Sequence, residues 1–289
     1  SRIFSELLSA QAAGERIIEL LEEPIDVKDT EFVKKIYEQK CESFDLVKGE
    51  VIFDKINFSY KKGEPVLSDF NLKVKAGETV AFVGETGSGK STIVNLFCRF
   101  YEPTEGKILI DGKDYRKRSL KWLHSKLGYV LQTPQLKNTT IRENIRYGKI
   151  DATDEEVIEA AKLVNAHKFI KKLDGGYDFN VGENGGMLST GQKQLISFAR
   201  AIISNPKFFV LDEATSSIDT ETEVIIQKTI DDLIKNRTSF IIAHRLSTIK
   251  DVDRIVYLEN GKISEIGTHN QLLKKKGKYY KLYKKQFDL

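Results

Sequence analysis

Gly84-Glu85-Thr86-Gly87-Ser88-Gly89-Lys90-Ser91-Thr92 stands between a strand-sized apolar run, Thr79 to Val83, and a stretch of helical spacing, Ile93 to Phe100. Strand, glycine-rich loop and helix in that order constrain this part of the chain to an α/β unit. The glycines let backbone N–H groups turn inward, and the helix start adds its positive dipole end. Such a turn suits phosphate oxygens, with Lys90 reaching the outer phosphates and Ser91 offering a hydroxyl to magnesium. The bare pattern should arise by accident in roughly one per cent of chains this long. Its flanks make a plain glycine turn with a surface lysine a poor alternative. Taken alone, the loop specifies a nucleotide but neither which one nor which reaction.

The surrounding pattern extends the α/β reading. Val51, Phe53, Ile56, Phe58 and Tyr60, then Phe70, Leu72 and Val74, nearly alternate on either side of a Lys61-to-Pro65 turn, as paired antiparallel strands would. Short apolar strands follow at Thr79 to Val83, Lys107 to Ile110, Phe208 to Leu211, Ser239 to Ala243 and Arg254 to Leu258. Interleaved with helices, they predict a parallel core. Ile141 to Tyr147, Asp154 to Asn165 and Gly191 to Ser204 have helical spacing and separate early core strands from late ones, as an inserted helical subdomain would. From Arg2 to Glu22, Ile3, Phe4, Leu7, Leu8, Ile17, Ile18 and Leu21 outline an amphipathic helix stopped by Pro24. Residues 25–48 have the composition of a connector, and the domain boundary is placed near Gly49. The lysine-rich end, Lys274 to Lys285, is interleaved with tyrosines and reads as a solvated helix face.

Composition narrows the partners. The formal charge is +4, from 46 basic and 42 acidic residues, too small an excess to argue for nucleic acid. No apolar run approaches the roughly 18 residues of a membrane span, so a soluble globular fold is expected. Cys41 and Cys98 are far apart and lack zinc-site spacing, and no secretory leader is visible; a reducing compartment is expected. The start at Ser1 rather than Met is read as the mark of an excised piece.

Phe208-Phe209-Val210-Leu211-Asp212-Glu213 is a short apolar strand ending in two carboxylates. In a phosphate-loop enzyme the first can hold magnesium and the second can polarise an attacking water. Upstream lies Leu188-Ser189-Thr190-Gly191-Gln192, running into a helix that carries Arg200-Ala201-Ile202. With Tyr60, Gln132, Ser216-Ser217-Ile218-Asp219 and His244 in this order, residues 50–289 resemble the ABC ATPase family almost continuously. The resemblance implies a mixed, mainly parallel RecA-like core at about 49–134 and 205–289. It also implies an antiparallel β subdomain and a helical subdomain at about 135–204.

Carried over residue by residue, the resemblance gives an ATP site built from Tyr60, Val66 and Gly84 to Thr92. It implies that Tyr60 stacks on adenine and that Ser91, Gln132 and Asp212 serve magnesium. It also implies catalysis by Glu213, with His244 and Gln132 sensing the γ-phosphate. Ser189, Thr190, Gly191 and Gln192 would contact ATP held on a partner subunit, and Asp219 and Glu183 would communicate between subunits. His124, His167 and His269 receive no such role and are expected to be structural.

Val181-Gly182-Glu183-Asn184-Gly185, Thr140 to Ile145 and Gly267-Thr268-His269 resemble exporters. Residues 1–24 resemble the cytoplasmic end of a last membrane helix, although a capping helix packed on the domain fits them equally. The implied function is ATP-driven export at the cytoplasmic face of the cell membrane, with a second ABC ATPase domain and a transmembrane domain with its coupling helices as partners. An ATP-gated regulatory module, a soluble ABC ATPase and a small-molecule kinase are the alternatives, the last leaving Leu188 to Gln192 unexplained. Thr190 stands where the family commonly has glycine, which raises a heterodimer pairing one competent site with one degenerate site.

Overall fold

The structure is a computed structural model that describes residues 2–39, 47–212, 220–243 and 246–287. Its strands are β1 (Val51–Phe58), β2 (Leu67–Val74), β3 (Thr79–Gly84), β4 (Glu105–Ile110), β5 (Lys113–Asp114), β6 (Leu127–Val130), β7 (Phe208–Asp212), β8 (Thr238–Ile242), β9 (Arg254–Glu259) and β10 (Lys262–Gly267). The helices are α1 (Arg2–Glu22), α2 (Glu31–Gln39), α3 (Lys90–Phe97), α4 (Leu120–Ser125), α5 (Ile141–Arg146), α6 (Asp154–Leu163), α7 (His167–Ile170), α8 (Thr190–Ile202), α9 (Thr220–Ile234), α10 (His269–Lys275) and α11 (Lys278–Phe287).

Alternation along β1 and β2 does what the sequence pattern predicts. Val51 faces Val74 and Phe53 faces Leu72 across an antiparallel ladder. Buried side chains alternate with more exposed ones, as a sheet with one solvated face requires, except where the register shifts between Phe53 and Ile56 and between Leu67 and Phe70. Tyr60 lies past the end of β1, in the turn. β4 differs from expectation. It pairs antiparallel with β1, Val51 opposite Ile110, giving a four-stranded sheet in the order β2-β1-β4-β5. The run Lys107 to Ile110 therefore belongs to the antiparallel sheet and not to the parallel core. A short apolar run does not reveal its strand partner, and here the partner precedes the phosphate loop.

The second sheet has the order β10-β9-β3-β8-β7-β6. β9, β3, β8, β7 and β6 are parallel, and β10 closes one edge as a hairpin on β9. Both faces are covered, so the central strands are buried and mainly apolar, with Thr79, Thr238 and Ser239 at their starts. Val80 and Phe82 point to the layer shared with the antiparallel sheet, while Ala81 and Val83 point to the helical layer. Phe240 of β8 centres the first layer, with rings of Phe97 at 4.6 Å, Phe82 at 6.1 Å and Phe53 at 6.2 Å. Cys98 is buried there as a small hydrophobe, whereas Cys41 lies outside the described residues.

Two terminal segments refine the reading. α1 forms as expected, but its apolar residues are exposed, Ile3 at 79% and Leu21 at 79%, so it does not cap the domain. The described residues of the connector, 25–39 and 47–48, carry more structure than its composition suggests. They contain α2, bury Val33, and place Asp29 against Arg99 and the start of α4. The lysine-rich end forms two helices, with Tyr279 fully buried and the lysines outward.

Candidate functional site

Parallel strands deliver their C-terminal ends to one edge of a sheet, and the predicted chemistry lies on that edge. Phe82 of β3, Ile242 of β8 and Asp212 of β7 are level with one another. Val130 of β6 is level with Leu211, so Leu131 and Gln132 leave the sheet beside Asp212. The Gly84 to Ser91 loop emerges two residues past Phe82. One row of strand ends thus gathers the loop, Asp212 and Gln132.

The loop turns as its composition requires. Gly84, Gly87 and Gly89 have φ of 150°, 81° and 101°, a region that disfavours any side chain. A Cβ on Gly84 would lie 2.3 Å from the Leu258 carbonyl oxygen, so β9 lies too close for anything but glycine. Glu85, Thr86 and Gly87 are exposed, and with Ser88, Tyr257 and Asn260 they line a shallow recess of about 90 Å³. Val66 flanks the loop through its backbone, its carbonyl oxygen lying where a Cβ on Gly89 would be 3.6 Å away and one on Gly261 2.0 Å away. Lys90 opens α3 and is buried. Its Nζ donates to the carbonyl oxygens of Gly84 at 2.8 Å and Glu85 at 2.7 Å. Burial lowers the ammonium's pKa from its ordinary value, and the charge of Asp212 opposes that shift. Lys90 and Asp212 therefore share one electrostatic site.

Ser91 is exposed beside Lys90, whereas Thr92 is buried and exchanges a hydrogen bond with the Tyr60 hydroxyl at 3.2 Å. That contact ties the aromatic turn to the phosphate-loop helix. Tyr60 is half exposed, and its ring meets Tyr101 edge-on at 5.0 Å and Phe58 at 4.8 Å. Tyr101 is a neighbour that sequence reasoning missed. It follows Phe100 with no pattern to distinguish it from ordinary surface aromatics.

Ser189 N-caps α8, where it is exposed. Its Oγ accepts from the Gln192 N–H at 3.3 Å, and the Gln192 Oε1 accepts from the Ser189 N–H at 3.0 Å. Thr190 is the first, exposed residue of the helix, and Gly191 is buried. Among the described residues no hydrogen bond joins this segment to the phosphate loop. Glu183 lies in an exposed 3₁₀ turn beside a cavity of about 560 Å³ that Gln135, Lys137, Tyr147, Ser197 and Arg200 also line. The cavity's lining holds no residue of the phosphate loop but includes Leu131 and Pro134, on either side of Gln132. Glu213, Asp219 and His244 lie outside the described residues, as do Ser216 to Ile218. His124, His167 and His269 hold a carbonyl oxygen or a tyrosine hydroxyl.

Residues 67–216 match the family model for the ABC transporter. The chain belongs to the ABC transporter family. It is 47% identical over 285 residues to the uncharacterized ABC transporter ATP-binding protein YfiC of Bacillus subtilis (strain 168), covering 99% of this chain and 46% of that protein. It is 44% identical over 280 residues to a fatty acid ABC transporter ATP-binding/permease protein of Mycobacterium bovis, covering 97% of this chain and 43% of that one. Among solved structures, a bacterial Atm1-family ABC exporter with ATP bound superposes with a TM-score of 0.84 at 38% identity, covering 98% of this chain and 48% of the exporter. The chain thus spans about half the length of the relatives it matches, and the half it spans is an exporter-type ABC ATPase domain.

Proposed function

We propose that this domain hydrolyses ATP between two head-to-tail copies, or between this chain and a related one, and that the cycle drives export through a transmembrane domain. The observation that carries the reading is the Lys90 ammonium resting on the Gly84 and Glu85 carbonyls, at the edge where Asp212 and Gln132 emerge. A cation held by neutral oxygens, two carbonyls and the Ser88 hydroxyl, with a carboxylate nearby, is poised to take phosphate oxygens in their place.

In this reading Tyr60 stacks on adenine, with Val66 beside it, and the loop N–H groups from Glu85 to Thr92 hold the phosphates. The hydroxyl of Ser91, the amide oxygen of Gln132 and the Asp212 carboxylate form an all-oxygen donor set of the kind magnesium prefers. Magnesium, when bound, neutralises charge on the outer phosphates. Glu213 polarises the attacking water, and His244 with Gln132 positions it. The partner's copy of Ser189 to Gln192 closes over the γ-phosphate from the start of α8. Losing that phosphate removes the contacts that favour the closed pair, which converts hydrolysis to motion. Asp219 and Glu183 carry the change across the interface and toward the coupling helices.

The division proposed is residues 1–24 leading from a membrane helix, 25–48 as the linker and 49–289 as the ATPase domain, at the cytoplasmic face of the cell membrane. The exposed apolar face of α1 supports the first part. No helix among the described residues is long and apolar enough to cross a membrane. Phosphate release from the wild type, compared with Glu213→Gln in the presence of the membrane partner, tests the reading. A fall in the variant is expected, and equal inactivity of both would sink it. Normal turnover and transport by the full-length chain as a homodimer would dispose of the heterodimer pairing that Thr190 suggests.

A further inference from the structure

Arg200 lies in the third turn of α8, the helix capped by Ser189, and its guanidinium spends its donors away from that helix. Nε donates to the Asn144 carbonyl oxygen, Nη2 to the Asn144 Oδ1 and Nη1 to the Gln135 carbonyl oxygen, each at 2.8 Å. Asn144 is completely buried in α5. Its Oδ1 also accepts from the Lys137 N–H at 2.9 Å, and its Nδ2 donates to the Lys137 and Thr140 carbonyl oxygens, both at 3.0 Å. A single buried amide thus joins the guanidinium to both ends of the 137–140 turn. The backbone packs closely here as well, since a Cβ on Gly148 would lie 1.9 Å from the Arg200 carbonyl oxygen.

These bonds begin three residues after Gln132. β6 fixes the chain up to Val130, and the Arg200–Asn144 network fixes it again from Gln135. Gln132 sits in the short exposed span between, attached to the core sheet on one side and to α8 on the other. We propose that Arg200 and Asn144 are positioning residues for ATP hydrolysis, bracing the Gln132 loop to the helix that Ser189 opens so that the two move as one unit. The proposal rests on the role given to Gln132 above. Neither residue touches the nucleotide. A lysine at 200 retains charge and stem but has no planar fork to span Gln135 and Asn144.

The test uses this chain as it stands, with Arg200→Lys, Asn144→Ser, Gln132→Ala and the Arg200→Lys/Gln132→Ala double variant. Amide hydrogen exchange over residues 135–140, the ATP dissociation constant and kcat are measured for each variant that keeps the wild-type circular dichroism. The brace predicts faster exchange of the Lys137 amide in Arg200→Lys and in Asn144→Ser. It also predicts ATP affinity within about twofold of wild type and kcat lower by about ten- to a hundredfold, the scale of a misplaced catalytic group. The double variant should be no slower than Gln132→Ala alone, because both changes act through one group. Unchanged exchange would overturn the brace. Faster exchange with wild-type kcat, or losses that multiply in the double variant, would overturn its role in positioning Gln132. A wild-type kcat for Gln132→Ala would instead remove the Gln132 assignment, and with it the proposal, and is told apart because Gln132→Ala leaves the brace intact.

Discussion

The Lys90 Nζ lies 2.7 Å from the Glu85 carbonyl oxygen, so the loop closes on its own cation. Lys90→Met keeps the stem and removes the charge. Burial already disfavours the ammonium, so the melting temperature should hold or rise. Charge-assisted bonds to phosphate are worth roughly 1.5–3 kcal/mol, so ATP affinity should fall by about ten- to a hundredfold. A fluorescent ATP analogue titrated beside a thermal melt reads both, and affinity unchanged within twofold would refute the role of Lys90.

Tyr60 offers two separable contacts, its ring and its hydroxyl bond to Thr92. Tyr60→Phe keeps the ring and its edge-on contact with Tyr101, and should bind ATP within about threefold of wild type. Tyr60→Ala should weaken ATP by about five- to 150-fold, since one base–aromatic stack is worth roughly 1–3 kcal/mol. Inorganic tripolyphosphate, which has no base, should bind both variants like the wild type. An equal loss for ATP and tripolyphosphate would show that Tyr60 supports the loop and does not hold adenine.

What was legible in the sequence follows from the range of the interactions involved. The loop and the β1–β2 pair are fixed by neighbours in sequence, and periodicity or residue type exposes them. The pairing of β4 with β1 spans some fifty residues and depends on which edge of the first hairpin is free, which the run Lys107 to Ile110 does not encode. Arg200 was visible as part of a helix after Leu188 to Gln192, but not its use, because its partners at Gln135 and Asn144 come from another element. Asp29 looked like one charge in a polar connector, and only the fold sets it against Arg99.

The reciprocal cap at the start of α8 separates two jobs of Ser189. Ser189→Ala removes the acceptor for the Gln192 N–H and should cost about 1 kcal/mol of stability. If the hydroxyl also meets a partner's γ-phosphate, turnover should fall far more than that loss explains. Gln192→Ala removes the returning bond but keeps the Ser189 hydroxyl, so its turnover should fall less than that of Ser189→Ala for a comparable loss of stability. Melting curves with steady-state ATPase rates check this, and parallel losses in the two variants would leave Ser189 a cap and nothing more.

His269 Nδ1 lies 2.8 Å from the Tyr279 hydroxyl at the junction of α10 and α11. Burial, reinforced by Lys250, lowers its pKa from the ordinary value of 6.5. The unfolded chain therefore takes up a proton here before the folded one does. The contribution is present above about pH 6.5 and is lost as pH falls from there through the lower folded value. Melting temperature should drop between pH 7.5 and 5.5 by more in the wild type than in His269→Gln. Equal slopes would exclude this histidine as a source.

Asp29 accepts from Arg99 Nη1 at 3.2 Å and from the Leu120 N–H at 3.1 Å, joining the connector to the end of the phosphate-loop helix and the start of α4. The Arg99 side chain is only 1% exposed, so its charge depends on the few acceptors around it. Glu102 at 2.8 Å and the Arg118 carbonyl oxygen at 3.0 Å remain when Asp29 is removed. The loss should therefore fall below the roughly 3–5 kcal/mol of a fully orphaned buried charge, at about 1–3 kcal/mol for Asp29→Ala. Asp29→Asn, which still accepts from the Leu120 N–H, should lose less. Denaturant unfolding of the three proteins gives the order wild type, Asn, Ala if the connector is clamped through this carboxylate. Equal midpoints for all three would mean that the connector packs through Val33 alone.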